Sequence, residues 1–137
     1  MNPTEITGAI IKAAMKVHSA LGPGLSESAY EACLLYELRK AGLKVEAQVA
    51  LPVIYDGVKI DVGYRVDLLV EDTVIVELKA VEAILPIHQA QLLSYLKLSG
   101  KEAGLLINFH VLHLRDGIKR MVNSAPPRSS ASSAVQS

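Results

Sequence analysis

The sequence has one cysteine, Cys33, no net charge, and no apolar run long enough to cross a membrane. A single cysteine excludes an intrachain disulfide and a zinc site built from several cysteines, and it suits a reduced, cytoplasmic setting. Zero net charge excludes the overall basic character of many nucleic-acid-binding proteins, but it does not exclude a local basic groove. The segment 1–21 carries Glu5 and two lysines, so it predicts neither a signal peptide nor a membrane span.

The composition is typical of one globular domain. The chain has 137 residues, of which 50% are apolar and 20% charged, enough for a real hydrophobic core. Residues 124–137 are rich in serine, alanine and proline and lack periodic apolar positions. We therefore expect a folded domain over residues 1–123 and a disordered tail over 124–137.

Periodicity and turn residues predict the order helix, helix, four strands, helix, two strands. Helical spacing follows the cap signal Asn2-Pro3, and "GPG" at 22–24 ends that helix. Asp56-Gly57 is a strong hairpin signal within the strands. The other predicted elements are a helix at about 25–41, strands on either side of 71–73, a helix at 86–100, and strands within 103–111 and 112–122. This order favours an α/β fold, a mixed α+β sandwich with a central mixed sheet flanked by helices.

Three charged residues interrupt the apolar strands of "RVDLLVEDTVIVELKA", residues 65–80. They are Asp67, Glu77 and Lys79, and an unpaired charge in such a strand is costly. If 71–73 is a three-residue loop, Asp67 lies opposite Glu77, and Lys79 points the same way as Glu77 because side chains alternate. A two-residue loop would shift this register by one residue.

Two interpretations account for these charges. In the first, internal salt bridges neutralise them, with Lys79 beside Glu77 and Arg65 beside Asp67. In the second, the two carboxylates share a cation, because adjacent carboxylates repel each other unless a proton or cation lies between them. Mg²⁺ prefers oxygen ligands and takes only one or two carboxylates, and a nearby lysine can stabilise charge that develops on a phosphoryl group.

The pattern of Asp67 followed by Glu77-x-Lys79 resembles the PD-(D/E)xK nuclease superfamily. The proline that usually precedes the aspartate is replaced by Val66. The stretch "QLLSY", residues 91–95, is similar to the Q-x-x-x-Y element of RecB-like nucleases.

A further stretch resembles one branch of that superfamily. "GLSESAY", residues 24–30, looks like the signature of the GxxExxY protein family. All the motifs occur in the order of the superfamily, and the resemblance covers roughly residues 4–122.

The resemblance implies a restriction-endonuclease-like core and assigns roles to particular residues. Asp67 and Glu77 would bind Mg²⁺ or Mn²⁺ with the carbonyl of Leu78, and Lys79 would assist phosphodiester hydrolysis. Gln91 would point toward the catalytic strand, and Tyr95 toward the backbone of the substrate.

Two helical residues carry open assignments. Glu27 is a candidate for a further metal ligand or for a residue that contacts a metal-coordinated water. His18 is a less favoured candidate for the metal-ligand role. Glu27 is otherwise a first-turn charge that suits the helix dipole. Tyr30 is either a substrate-binding residue or an aromatic at the edge of the core.

These observations predict a divalent-metal-dependent nuclease that acts on nucleic acid, with DNA as the favoured substrate and with no membrane partner. The first alternative is a catalytically silent nucleic-acid-binding or protein-interaction module on the same fold. The second alternative is a metal-dependent hydrolase of a smaller phosphate ester. A homodimer is expected only by analogy with other small nucleases of this type.

Overall fold

The computed structural model describes residues 1–123, and the segment 124–137, predicted as a tail, lies outside the described residues. The helices are α1 (Pro3–Leu21), α2 (Glu27–Lys40) and α3 (Pro86–Ser99). The strands are β1 (Val45–Ala50), β2 (Val53–Tyr55), β3 (Val58–Ile60), β4 (Arg65–Val70), β5 (Val74–Lys79), β6 (Ala103–Asn108) and β7 (Ile118–Val122). A 3-10 turn, Leu114–Gly117, precedes β7 and occupies part of the segment predicted as strand.

Helix α1 begins with the capping arrangement that the sequence predicts. The side chain of Asn2 accepts a hydrogen bond from the backbone N–H of Glu5 at 2.8 Å. The carboxylate of Glu5 accepts from the backbone N–H of Asn2 at 2.9 Å, so two N–H groups that the helix leaves free are satisfied. The helix ends at Gly22, whose φ of 69° suits a residue without a Cβ.

The predicted number of strands before α3 is wrong, because the described chain has five there rather than four. The segment predicted as one strand divides into β1 and β2 at Leu51-Pro52. Proline has no backbone N–H to donate to a strand ladder, which favours a break at that point. The hairpin turn itself is confirmed: Asp56 and Gly57 both have positive φ, 54° and 74°, and they join β2 to β3.

The central sheet is mixed, as the sequence predicts. Its strand order is β1-β4-β5-β6-β7, and β2 pairs with β3 in a separate two-stranded sheet. β5 and β6 are parallel, and the other neighbours in the central sheet are antiparallel. Parallel neighbours require a crossover, and α3 provides it between β5 and β6.

Helices cover both faces of this sheet. On one face, residues of α1 and α2 such as Ile10 and Leu34 share a buried cluster with Val76 of β5. On the other face, Leu92 of α3 shares a second cluster with Ile75. Burial on both faces accounts for the nearly continuous apolar sequences of β5 and β6. Within residues 1–123, none of the helices combines the length and the apolar character needed to span a membrane.

Candidate functional site

The register of β4 against β5 brings the two predicted carboxylates together. Val70 pairs with Val74, and Leu68 pairs with Val76, which is the register of a three-residue loop at 71–73. Continued by one residue, this register sets Asp67 opposite Glu77. The predicted juxtaposition is confirmed, and it follows from the length of one turn.

At this point side chains replace the regular ladder between the strands. The backbone N–H of Asp67 donates to Oε2 of Glu77 at 2.7 Å. The backbone N–H of Leu78 donates to Oδ2 of Asp67 at 2.8 Å. Each carboxylate is therefore held by a backbone donor of the opposite strand, and the pair is positioned by two elements of the rigid sheet.

Burial of this pair makes the charged forms unfavourable. Glu77 is only 5% exposed. Burial raises the pKa of Glu77 to about 8, and the neighbouring charge of Asp67 adds to the increase. Burial also raises the pKa of Asp67, against the hydrogen bond from Leu78 and the charge of Lys79, which lower it. The protein therefore does not fully stabilise the negative charge of the two carboxylates, and a bound cation would do so.

Lys79 lies beside this pair without a direct ion pair. Within residues 1–123, the ion pairs with N···O distances up to 4.0 Å include neither Lys79 nor Arg65. The charge of Lys79 nevertheless lowers the pKa values of both Asp67 and Glu77. The two internal salt bridges considered from the sequence are therefore not formed, and the ammonium group of Lys79 is left available near the carboxylates.

The donor set fits a hard divalent cation. In the part of the chain that is described, no three side chains of His, Cys, Asp or Glu are grouped so as to hold a metal ion. Mg²⁺ does not require such a group, because it usually binds one or two carboxylates and completes its shell with water and substrate phosphate. Asp67 and Glu77 provide that number of carboxylates.

Helix α2 adds acidic side chains to the same region. Oε2 of Glu27 accepts a hydrogen bond from the backbone N–H of Ala80 at 3.4 Å, directly after β5. The charge of Glu27 raises the pKa of Asp67. The structure therefore places Glu27 in the neighbourhood of the carboxylate pair, although within residues 1–123 it does not form a three-carboxylate metal group with that pair.

Sequence reasoning missed Glu31, one helical turn after Glu27. Burial raises the pKa of Glu31, and the charge of Asp67 contributes to the increase. The spacing from Glu27 to Glu31, i to i+4, places both on one helical face. That spacing was a signal that could have identified Glu31.

Two amide side chains near the site were also missed. Gln48 of β1 donates from Nε2 to Glu31 at 2.9 Å and to Asp67 at 3.4 Å. Asn108 ends β6 and is 1% exposed. Its side chain donates to the carbonyl of Val81 at 2.8 Å and accepts from the N–H of Val81 at 3.1 Å, which fixes the chain just after Lys79. Asn108 is the one polar residue in the otherwise apolar sequence of β6, and this feature could have identified it.

Helix α3 contributes Gln91 and Tyr95 as a bonded pair. Nε2 of Gln91 donates to the hydroxyl of Tyr95 at 3.3 Å. Tyr95 is only 6% exposed, so most of its ring is buried. Burial raises the pKa of Tyr95, and the charge of Glu77 adds to the increase, which indicates that Tyr95 lies near the carboxylates. Its ring also contacts Tyr64, with centroids 5.8 Å apart.

Tyr30 belongs to the core rather than to a substrate surface. Its ring has 0% exposure and stacks on Phe109, with centroids 4.4 Å apart. Its hydroxyl donates to the carbonyl of Gly22 at 2.5 Å and accepts from the N–H of Leu25 at 3.1 Å. A fully buried ring offers no contact to a substrate, so the structure corrects the substrate-binding assignment: Tyr30 fastens the loop before α2.

His18, considered above as an alternative to Glu27, and His88 of α3 both have structural partners. His18 is 8% exposed, and its Nε2 forms a hydrogen bond of 2.8 Å with the carbonyl oxygen of Val111. Nδ1 of His88 accepts from the backbone N–H of Leu85 at 2.9 Å and so completes the first turn of α3. Neither ring has the carboxylate pair as its hydrogen-bond partner.

Two cavities of the described chain are lined by other parts of the fold. One, of about 480 Å³, lies along α1 and the end of α2 and includes Lys12 and Leu43. The other, of about 630 Å³, is lined by residues that include His18 and Arg115. Neither lining includes Asp67 or Glu77, so the candidate site is a feature of the sheet rather than of either cavity.

Comparison with known proteins identifies one family. A family model described as the PD-(D/E)XK nuclease superfamily matches residues 4–121, nearly the whole described chain. No curated protein and no solved structure matches the sequence. The five-stranded mixed sheet flanked by helices is consistent with the restriction-endonuclease-like fold of that superfamily.

Proposed function

The chain belongs to the PD-(D/E)XK nuclease superfamily, and from this premise we propose that it is a divalent-metal-dependent nuclease that hydrolyses phosphodiester bonds in DNA. One observation carries the proposal. The carboxylates of Asp67 and Glu77 lie side by side on β4 and β5, with Lys79 nearby and outside any close ion pair in residues 1–123. A purely structural arrangement would be expected to neutralise such a pair.

In this proposal Asp67, Glu77 and the carbonyl of Leu78 would hold Mg²⁺ or Mn²⁺. The bound cation would neutralise charge on the scissile phosphate and lower the pKa of a water molecule that becomes the nucleophile. The backbone N–H groups of Asp67 and Leu78 orient the two carboxylates through their hydrogen bonds. The ammonium group of Lys79 stabilises negative charge that develops on the phosphate oxygens.

The surrounding helices complete the proposed site. Glu27, which accepts from Ala80 directly after β5, is not grouped with Asp67 and Glu77 as a third ligand within residues 1–123, so we propose that it would accept a hydrogen bond from a coordinated water. Gln91 is exposed on α3 and bonds to Tyr95, which feels the charge of Glu77, so we propose that Gln91 meets the substrate on that side of the site. We propose that Tyr95 contacts the substrate backbone through its hydroxyl edge, with the rest of its ring in the core.

DNA is proposed as the substrate on the likeness of Gln91–Tyr95 to the corresponding element of RecB-like nucleases. The superfamily as a whole implies a nucleic-acid substrate. Within it, we assign the chain to the GxxExxY branch on the segment 24–30. The proposal includes the cytoplasmic setting that the lone cysteine favours.

A homodimer is part of the proposal, supported by the β2–β3 hairpin. This two-stranded sheet exposes Ile54, Tyr55 and Val58, with exposed fractions of 50%, 71% and 56%. A two-stranded hairpin is marginally stable alone, and an exposed apolar patch is typical of an interaction surface. Light scattering of the native protein and of a Tyr55→Ser, Val58→Ser variant tests whether this patch joins two copies.

Two alternatives make different predictions. A catalytically silent binding or interaction module on the same fold would have no need for metal, so metal affinity separates it from both enzymes. A hydrolase of smaller phosphate esters would bind metal and cleave a dinucleotide at least as well as a polynucleotide.

The test is a cleavage assay with Mg²⁺ and with Mn²⁺ on single- and double-stranded DNA and RNA, together with a dinucleotide. We expect metal-dependent cleavage of DNA that is lost in Asp67→Ala. Because the hydrogen bonds of Asp67 lie at the centre of the sheet, the melting temperature of the variant is measured in parallel. Metal-independent cleavage, or cleavage retained in folded Asp67→Ala, would exclude the proposed site.

A further inference from the structure

Strand β1 is distorted at one residue, Gln48. Its φ is 54°, in the left-handed region that residues with a Cβ seldom adopt. The flanking pairs, Ala47 with Leu68 and Val49 with Val66, keep one register, so the distortion is local. Such a conformation is unfavourable, and it persists only where surrounding structure supports it.

The distortion directs the side chain of Gln48 to two carboxylates. Nε2 donates to Oε1 of Glu31 at 2.9 Å and to Oδ1 of Asp67 at 3.4 Å. One amide group thus connects an acid of α2 with an acid of β4, through a strand at the edge of the sheet.

Gln48 also completes the hydrogen bonding of Asp67. Oδ2 of Asp67 accepts from the backbone N–H of Leu78 at 2.8 Å, and Oδ1 accepts from Gln48. Donors on both oxygens fix the rotation of the carboxylate. An amide does this without adding charge, whereas a lysine or arginine at this position would compete with a cation for the same oxygens.

We propose that Gln48 is a positioning residue that holds Asp67 and Glu31 in the orientation required to bind the divalent cation. This inference rests on the proposed metal-dependent function and extends it to a residue outside the recognised motifs. Gln48 acts through the carboxylates and does not contact the substrate. Its left-handed backbone is the structural cost of placing an uncharged donor between the two acids.

Two variants separate the amide from the backbone conformation. Gln48→Gly removes the side chain and relieves the unfavourable φ, because glycine tolerates positive φ. Gln48→Met keeps a side chain of similar length and the unfavourable φ, but removes the donor. Gln48→Gly should therefore melt at a higher temperature than Gln48→Met.

The main measurement is calorimetric titration of the metal-free native protein and of both variants with Mn²⁺. If the amide orients the carboxylates, both variants should bind Mn²⁺ about tenfold to a hundredfold more weakly, the usual effect of removing a partner that orients a metal ligand. In the cleavage assay, both variants should cleave more slowly than the native protein at low Mn²⁺ concentration. At saturating Mn²⁺ their turnover should be near native, because Gln48 does not touch the reacting atoms.

Each other outcome contradicts the proposal in a distinct way. If the native protein binds Mn²⁺ and both variants bind equally well, the role of Gln48 is excluded while the proposed function stands. If only one variant is weakened, the amide is not the determinant. If turnover stays low at saturating Mn²⁺, Gln48 acts on the chemistry directly. If the native protein binds no Mn²⁺, the proposed function and this inference both fail.

Discussion

The backbone N–H of Asp67 donates a hydrogen bond of 2.7 Å to the side chain of Glu77 on the neighbouring strand. A carboxylate therefore takes the place of a backbone carbonyl where the ladder between β4 and β5 would continue. The arrangement holds a buried and a partly buried acid side by side, where their ionised forms repel each other and where a cation would be stabilised.

Asp67→Asn should abolish Mn²⁺ binding and leave the metal-free protein at least as stable as the native one at pH 8. Asparagine keeps an oxygen that can accept from Leu78 and removes the repulsion with Glu77. Calorimetry measures binding, and thermal melting measures stability. If the heat of Mn²⁺ binding in the variant equals that in the native protein, Asp67 is not a ligand.

Lys79→Met should fold and bind Mn²⁺ nearly normally, yet cleave about a hundredfold more slowly, as expected for the loss of one preorganised transition-state contact. Because Lys79 forms no ion pair within 4.0 Å in residues 1–123, its removal should not break a close buried pair. The measurements are a melting curve with saturating Mn²⁺ and a cleavage time course on the same preparation. A loss of stability of roughly 3–5 kcal/mol with metal present would instead identify Lys79 as part of a buried ion pair.

The stability of the metal-free protein should fall as the pH rises from about 5 to 9. The folded pKa of Glu77 is about 8, above its ordinary value of 4.5, so the folded protein keeps a proton that the unfolded chain releases in this window. One pKa unit corresponds to about 1.4 kcal/mol, so the loss is on the order of a few kcal/mol. Denaturant unfolding at several pH values measures it.

Glu77→Gln should flatten this pH dependence, because glutamine does not titrate. The exposed Glu82→Gln is the matched control and should leave the native profile unchanged. A steep fall that persists in Glu77→Gln would assign the dependence to another group.

Glu27→Gln should weaken Mn²⁺ binding or cleavage by about tenfold, the lower end of the effect of altering a group that orients or supplements metal ligands. The competing explanation is a first-turn charge that only stabilises α2. A Glu27→Gln, Ser28→Glu double variant restores an acidic residue to the first turn but displaces it from Ala80. Recovery of cleavage in the double variant would support the helix explanation and contradict a role in the site.

Tyr30→Phe should lower the stability by about 1–2 kcal/mol, because the carbonyl of Gly22 and the N–H of Leu25 lose their partner. Cleavage at saturating Mn²⁺ should be unchanged if Tyr30 only fastens the loop. Tyr36→Phe, at a tyrosine that is 64% exposed, is the control for both measurements. Slower cleavage in a Tyr30→Phe protein of native stability would restore a functional role to this residue.

Part of the site could be predicted from the sequence, because it depends on interactions between residues that are close along the chain. The loop 71–73 is short, and strand side chains alternate, so the opposition of Asp67 and Glu77 and the common direction of Lys79 followed from counting residues. The capping of α1 by Asn2 was likewise decided by residues three apart.

Only the tertiary structure decided which distant residues join that pair. Gln48 and Glu31 are separated from Asp67 by 19 and 36 positions, and no local pattern relates an exposed strand glutamine to a helical acid. The burial of Tyr30 was also decided by the tertiary structure. Its motif suggested a substrate-binding role, but α2 packs against the sheet and Phe109, and this packing buries the ring. The sequence alone determined neighbours along the chain and across one turn, because short loops leave few registers. Contacts between separate elements depend on how the whole core packs, and that packing placed Gln48 and Glu31 beside Asp67 and turned Tyr30 inward.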